Sequence, residues 1–315
     1  MTRVFIDGEA GTTGLQIAER LALREDLTLL RIDAGARKDN SARRDLFAAA
    51  DIAILCLPDD AAREAVTLAA GHCRLIDAST AHRTHPDWVY GLPELDSAQR
   101  ARIAGAERVA NPGCYPQGFI LLVRPLIEAG LLDPAQALSL HALSGYSGGG
   151  RVMIETYQGF DAATRERNNT RPYGLSLRHK HVPEMQHFSG VRRAPLFVPS
   201  VGCFAQGMLV HVPLFSDDLS GTPSAQSVSE VLAERYANEP FVRVLPAGAE
   251  AALEGGFLNA TACNDTNRIE LMVFGHETQI LLTARYDNLG KGAAGAAIQN
   301  LNLMLGREET LGLTA

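Results

Sequence analysis

The chain is sparing with cysteine, aromatic residues and basic charge, and it has no long apolar run. Five cysteines occur among 315 residues, namely Cys56, Cys73, Cys114, Cys203 and Cys263, with no C-x-x-C pair and no zinc-like cluster. An odd number of thiols without a secretory signal points to a reducing compartment, the cytoplasm. Most of the five are expected to be small core residues, and one or two at most to do chemistry. Lys and Arg number 29 against 36 Asp and Glu, a net charge of -7, which argues against a general nucleic-acid binder but not against a local basic pocket for one small anion. No apolar stretch approaches the roughly 20 residues that cross a bilayer. The opening MTRVFIDG lacks the apolar segment and cleavage site of a signal peptide. No membrane partner is expected, and the length favours two domains.

In the first half, strand-like and helix-like segments alternate. Arg3–Asp7 is a short β-rich run, Gly11–Leu23 has helical spacing, and Leu27–Ile32 reads as a second strand. Asp51–Leu57 is nearly all apolar, as a parallel strand buried on both faces should be. Asp59–Ala70 reads as a helix and Arg74–Asp77 as a strand. This alternation implies right-handed βαβ units and a Rossmann-like, doubly wound parallel sheet, the α/β class. Beyond about residue 112 the pattern changes. A helix over Gln117–Ala129 is followed by strand-like runs at Ala137–Leu143, Leu196–Phe204, Met208–Phe215, Ile269–Phe274 and Gln279–Tyr286. Short turns between several of them suggest antiparallel pairing in an α+β domain. Ala225–Ala237 reads as a helix, and Asn288–Gly306 is helical again.

Gly8, Gly11 and Gly14 follow the first strand and open the first helix, with Thr12 and Thr13 between the last two. That is the context of a dinucleotide-binding turn, in which glycines permit a tight turn and close approach of pyrophosphate to a helix N-terminus. An ordinary strand–helix turn is the alternative. At the end of the second strand stand Asp33, Arg37 and Lys38; two close cations favour the 2′-phosphate of NADP(H) over NAD, a solvated surface pair being the alternative. Asn111-Pro112-Gly113-Cys114-Tyr115-Pro116 frames a cysteine with turn-forming residues just before a helix. A cysteine there feels the positive end of the helix dipole, which favours its thiolate. Cys56, between Leu55 and Leu57, reads as core.

The Cys114 segment, together with Leu57-Pro58-Asp59-Asp60-Ala61-Ala62, Asp77-Ala78-Ser79-Thr80-Ala81-His82-Arg83, Ser144-Gly145-Tyr146-Ser147-Gly148, His179-Lys180-His181-Val182-Pro183-Glu184 and Asp287-Asn288-Leu289-Gly290-Lys291-Gly292, resembles the shorter form of the N-acetyl-gamma-glutamyl-phosphate reductases. Those enzymes are related in architecture to the aspartate-semialdehyde and glyceraldehyde-3-phosphate dehydrogenases. The longer form carries Ser-Ala-Asp-Phe-Arg where this chain has Ser79-Thr80-Ala81-His82-Arg83.

The resemblance implies a glyceraldehyde-3-phosphate dehydrogenase-like catalytic domain over residues 114–286. It further implies a discontinuous nucleotide domain over residues 1–113 and 287–315, and a homodimer or homotetramer. It implies NADPH-dependent reduction of N-acetyl-L-glutamyl 5-phosphate through a Cys114 thioester, with His179 as acid–base partner. His181 and Glu184 would orient or contact substrate, and Ser79, Arg83 and Asn111 would meet its phosphate. Leu57, Pro58, Ser144, Gly145, Asn288 and Lys291 would join the three glycines around the cofactor. Alternatives are a related semialdehyde dehydrogenase, a cysteine–histidine hydrolase or acyltransferase, a non-catalytic NADP-sensing module, a helix-capping role for Ser79 with Arg83 on the surface, and a metal site at the H-x-H-x-x-E string. No further ligand set for a metal stands out, and none is expected.

Overall fold

The run of apolar residues after the N-terminus becomes strand β1 (Thr2–Asp7) in a computed structural model that describes residues 1–315. Five more strands join it: β2 (Leu27–Leu30), β3 (Ile52–Leu55), β4 (Arg74–Asp77), β5 (Val89–Tyr90) and β6 (Arg108–Ala110). They form one sheet in the order β2-β1-β3-β4-β6-β5, and every pairing is parallel. Helices α1 (Thr12–Leu21), α2 (Asn40–Ala49), α3 (Asp59–Ala69) and α4 (Gln99–Gly105) make the crossovers.

Side chains alternate across the strands. Val4, Ile6, Ile54 and Ile76 face one core with Ile17 and Leu21 of α1 and with Ala297, Ile298 and Leu301 of the C-terminal helix (Gly295–Met304). Phe5, Ala53, Leu55 and Leu75 face a second core with Phe47 of α2, Leu68 of α3 and Trp88. Both faces are therefore covered, which is why β3 carries four consecutive buried apolar residues. The strands end together at Asp7, Leu55, Asp77 and Ala110, the edge where open parallel sheets bind ligands.

The chain divides into two units. One comprises residues 1–113 and 293–313; the other comprises residues 114–292 and 314–315. Residues 287–292, which the sequence places with the first unit, are tied to the second by Asp287. Its carboxylate accepts from Leu289 N, Asp265 N and Gln206 Nε2, and its carbonyl from Gly292 N. Regular α-helix begins at Gly295, after a π-helical turn over Gly290–Ala294, and not at Asn288.

The second unit contains helices α5 (Cys114–Glu128), α6 (Gly150–Gln158), α7 (Ala162–Arg167), α8 (Val182–Ser189) and α9 (Ala225–Arg235). Its strands are β7 (Ser139–Gly145), β8 (Thr170–Pro172), β9 (Leu196–Gly202), β10 (Met208–Phe215), β11 (Val242–Val244), the small hairpin β12 (Leu253–Glu254) and β13 (Phe257–Leu258), β14 (Ile269–Gly275) and β15 (Gln279–Tyr286). All but the hairpin form a mixed sheet in the order β11-β14-β15-β10-β7-β9-β8. The β10–β15 and β14–β15 pairs are antiparallel, as the short turns suggest, whereas β7–β9 and β11–β14 are parallel. Helices α5 and α9 pack on the sheet, and α8 packs on α5.

Candidate active site

Strand β6 ends at Ala110, and after three intervening residues Cys114 is itself the first residue of α5. Pro116 fits because the N–H groups of the first helical turn have no partner within the helix. The thiol is half-buried. Burial pushes the Cys56 thiol up to about 12, with Asp77 and Asp7 adding to it, and pushes Cys73 and Cys263 up to about 11. Those three remain protonated at neutral pH. Cys203 is half-buried.

Aromatic and imidazole rings gather beside the start of α5. The Tyr115 hydroxyl lies 3.0 Å from that of Tyr173, from the edge strand β8 and its following turn. The Ser144 hydroxyl donates to the Gly145 carbonyl at 3.2 Å. Ring centroids of Tyr115 and His179 are 5.9 Å apart, those of Tyr115 and His181 5.8 Å, and those of His179 and His181 4.8 Å. Phe197 of β9 closes the group, 5.0 Å from both Tyr115 and His179. Burial pushes the Tyr173 phenol up to about 12, and the nearby charge of Cys114 adds to the effect.

Burial, reinforced by Lys180, holds His179 down to about 4. At neutral pH the ring is uncharged. The His181 N–H donates to His179 Nδ1 at 3.2 Å, so the neutral ring carries its proton on Nε2. His181 and Glu184 are buried at the head of α8. No group of three or more His, Cys, Asp or Glu is placed to hold a metal ion.

Asn288 is buried and joins two turns: its Oδ1 accepts from Gly207 N at 2.8 Å and its Nδ2 donates to Ser147 Oγ at 2.9 Å. Gly145 N–H bonds to Gly207 C=O, and a Cβ on Gly145 would collide with the Ala205 carbonyl. Ser144, Gly145 and Asn288 thus share one corner at the end of β7. Lys291, assigned to the cofactor from the sequence, lies fully buried, with Nζ 5.9 Å from the Phe241 ring centroid. Its carbonyl accepts from Gln117 Nε2.

In the first unit, Gly8 has φ +92, and a Cβ there would strike the Cys56 carbonyl; one on Gly14 would strike the Gly8 carbonyl. Helix α1 starts after Gly11 with no side-chain cap. The cradle is therefore lined by backbone, with open N–H groups at a helix start, which fits a pyrophosphate. Leu57 and Pro58 lie beside it at the end of β3, Leu57 in reach of Gly8. Arg37 and Lys38 are exposed in the loop after β2.

Around the end of β4, Asp77 Oδ2 bonds to Ser79 Oγ (2.7 Å) and to His82 Nδ1 (2.6 Å), and the His82 ring stacks on Trp88. Arg83 donates to the carbonyls of Asn111 and Ala78. Asn111 donates to Ala293 O and accepts from Asn300 Nδ2. Arg83 and Asn111, assigned to substrate phosphate from the sequence, therefore brace the ends of β4 and β6 and the C-terminal helix. The Tyr115–Tyr173 pair, the His82–Asp77 contact and Tyr286, whose hydroxyl touches the start of α5, are site features that the sequence did not disclose. Only Tyr115 carried a local signal, its place beside the cysteine.

Residues 3–103 match the family model described as semialdehyde dehydrogenase, NAD binding domain, and residues 114–288 match semialdehyde dehydrogenase, dimerisation domain. A Nostoc protein named N-acetyl-gamma-glutamyl-phosphate reductase 2 is 50% identical over 99% of both chains. A Brucella ovis protein named N-acetyl-gamma-glutamyl-phosphate reductase is 52% identical over 97% of this chain and 99% of its own. Among solved structures, aspartate semialdehyde dehydrogenase II from Vibrio cholerae superposes with a TM-score of 0.72 at 16% identity, over 97% of this chain and 98% of that one. Aspartate semialdehyde dehydrogenase with NADP from Candida albicans gives 0.68 at 13%, over 97% and 98%. The structural likeness establishes the fold, and the sequence likeness the family: this chain belongs to the N-acetyl-gamma-glutamyl-phosphate reductases.

Proposed function

We propose that the chain catalyses NADPH-dependent reductive dephosphorylation of N-acetyl-L-glutamyl 5-phosphate to N-acetyl-L-glutamate 5-semialdehyde. The observation that carries the reading is a half-buried thiol at the first residue of α5, next to Tyr115, whose ring lies 5.9 Å from an uncharged imidazole, in a chain half identical to named reductases. The Cys114 thiolate attacks the acyl carbon; a C–S bond forms, the C–O bond to phosphorus breaks, and inorganic phosphate leaves. A nicotinamide dinucleotide, when bound, would supply the hydride by which the thioester is reduced. His179 holds its Nε2 proton toward the carbonyl oxygen while that oxygen carries negative charge, and keeps it when the C–S bond breaks to release aldehyde and thiolate.

Gly8, Gly11, Thr12, Thr13 and Gly14 bind the pyrophosphate in this reading, and Arg37 and Lys38 the 2′-phosphate. Ser144, Gly145 and Asn288 serve the nicotinamide end. His181 and Glu184 orient the acyl chain, and Ser79 contacts the departing phosphate within the frame held by Arg83 and Asn111. The enzyme acts in the cytoplasm as a homo-oligomer. Five cysteines without a disulfide support the first point, and the name of the matched dimerisation domain supports the second. No helix is long and apolar enough to cross a membrane.

The test runs the reaction backwards: N-acetyl-glutamate semialdehyde, NADP and inorganic phosphate should yield NADPH with the wild type. Cys114→Ser should lose at least about a thousandfold in rate, as removal of a covalent nucleophile does. A serine variant with comparable turnover, or equal turnover on unrelated semialdehydes, would reject the proposal.

A further inference from the structure

A buried tyrosine hydroxyl finds hydrogen-bond partners, because leaving it unpaired is costly. Tyr286, the last residue of β15, is fully buried. Its hydroxyl donates to the Cys114 carbonyl at 2.6 Å and accepts from the Gly118 N–H at 3.1 Å. Those two backbone groups are the acceptor and donor of an i to i+4 rung in the first turn of α5. The phenol thus sits on the rung that begins at the cysteine.

Two glycines leave it room. A Cβ on Gly118 would stand 2.8 Å from Tyr286 Oη, closer than real side chains tolerate. On the other side of the cysteine, a Cβ on Gly292 would stand 3.1 Å from Cys114 Cβ. The main chain of Cys114 is therefore held by the phenol, and its Cβ abuts bare backbone. Burial also pushes the phenol well above the usual tyrosine range, so it stays a donor at any working pH.

We propose that Tyr286 is a positioning residue for Cys114. By holding the Cys114 carbonyl and the Gly118 N–H together it sets the direction of the Cα–Cβ bond, and hence the place of the sulfur. The inference rests on the reading that Cys114 is the nucleophile.

Tyr286→Phe removes one oxygen and leaves the Cys114 carbonyl and Gly118 N–H to bond to each other. Two readouts are taken on the full chain: steady-state kinetics, and the pH dependence of Cys114 alkylation by iodoacetamide, followed by mass spectrometry of the Cys114 peptide. Misplacing a reacting atom by about 1 Å is worth about a hundredfold, so kcat should fall about 10- to 100-fold with KM within about twofold, and the alkylation profile should shift. A purely structural role would lower the folded fraction and leave KM and the alkylation midpoint of the folded protein where they were; that result, or wild-type values throughout, overturns the proposal. Gly118→Ala pushes the phenol off the rung and should act in the same direction; it decides the matter if Tyr286→Phe does not fold. Cys114→Ser separates the two readings. An inactive serine variant beside a wild-type-like Tyr286→Phe defeats only the positioning role, whereas an active serine variant defeats the nucleophile itself.

Discussion

His179 carries a pH signature that follows from where its ring lies. Burial and the Lys180 charge lower it from the ordinary 6.5 to about 4. Between those values the unfolded chain binds a proton at this position and the folded chain does not. Folded stability therefore falls as pH drops through the window from about 6.5 to about 4, and the burden disappears above it. His179→Asn removes the titration. Urea midpoints measured at several pH values should decline less steeply in the variant over that window; an unchanged slope would mean that the imidazole is not held neutral. The same residue marks the limits of local inference. Cys114 was legible because prolines and a glycine next to it announce a turn before a helix. The Tyr115–Tyr173 contact spans 58 residues and the Tyr286–Cys114 contact 172, so nothing near either tyrosine announces them. Buried polar networks of this kind depend on the whole fold.

Among the elements, α5 is where sequence and structure test each other most directly. Its apolar spacing gave a helix from Gln117, and the structure extends it back to Cys114. Pro125 lies inside it and cannot supply the N–H that the Leu121 carbonyl would receive. The Tyr236 hydroxyl, just past α9, donates to that carbonyl at 2.8 Å. Tyr236→Phe removes this buried bond and should cost about 1–3 kcal/mol in urea unfolding. In a Pro125→Ala background the new N–H can serve Leu121, and the same change should cost less than about 1 kcal/mol. Equal costs in the two backgrounds would refute the compensation. Strands with buried apolar faces, such as β10 and β15, were readable to within a residue. Elements with little buried apolar surface were not: α2 buries only Arg43 and Phe47, α7 buries nothing, and all three residues of β8 are exposed. Periodicity marks the faces that meet a core, and these have almost none.

At the scale of the whole molecule, the first unit cannot be assembled from its N-terminal stretch. Ala294, Ala297, Ile298, Leu301 and Met304 belong to the same core as Val4, Ile6 and Ile54. The C-terminal helix also completes buried polar pairings, with Asn300 Nδ2 donating to Gly91 O and to Asn111 Oδ1, and Gln299 Nε2 to Glu94. A chain of residues 1–113 would expose that core face and leave Asn111 and Glu94 without these partners, a combination worth several kcal/mol against a margin of about 5–15 kcal/mol for a whole domain. The Asn111 amide reaches the Ala293 carbonyl at 3.1 Å, so Gly113 and Ala293 lie near enough for a short Gly-Ser linker to join them. Residues 1–113 alone should show no cooperative urea transition. The same residues fused to 293–313 should show one, with dispersed amide resonances. A cooperative transition in residues 1–113 at the midpoint of the fused chain would mean that the returning helix is an accessory, and that Asn111 is held for some purpose other than closing this unit.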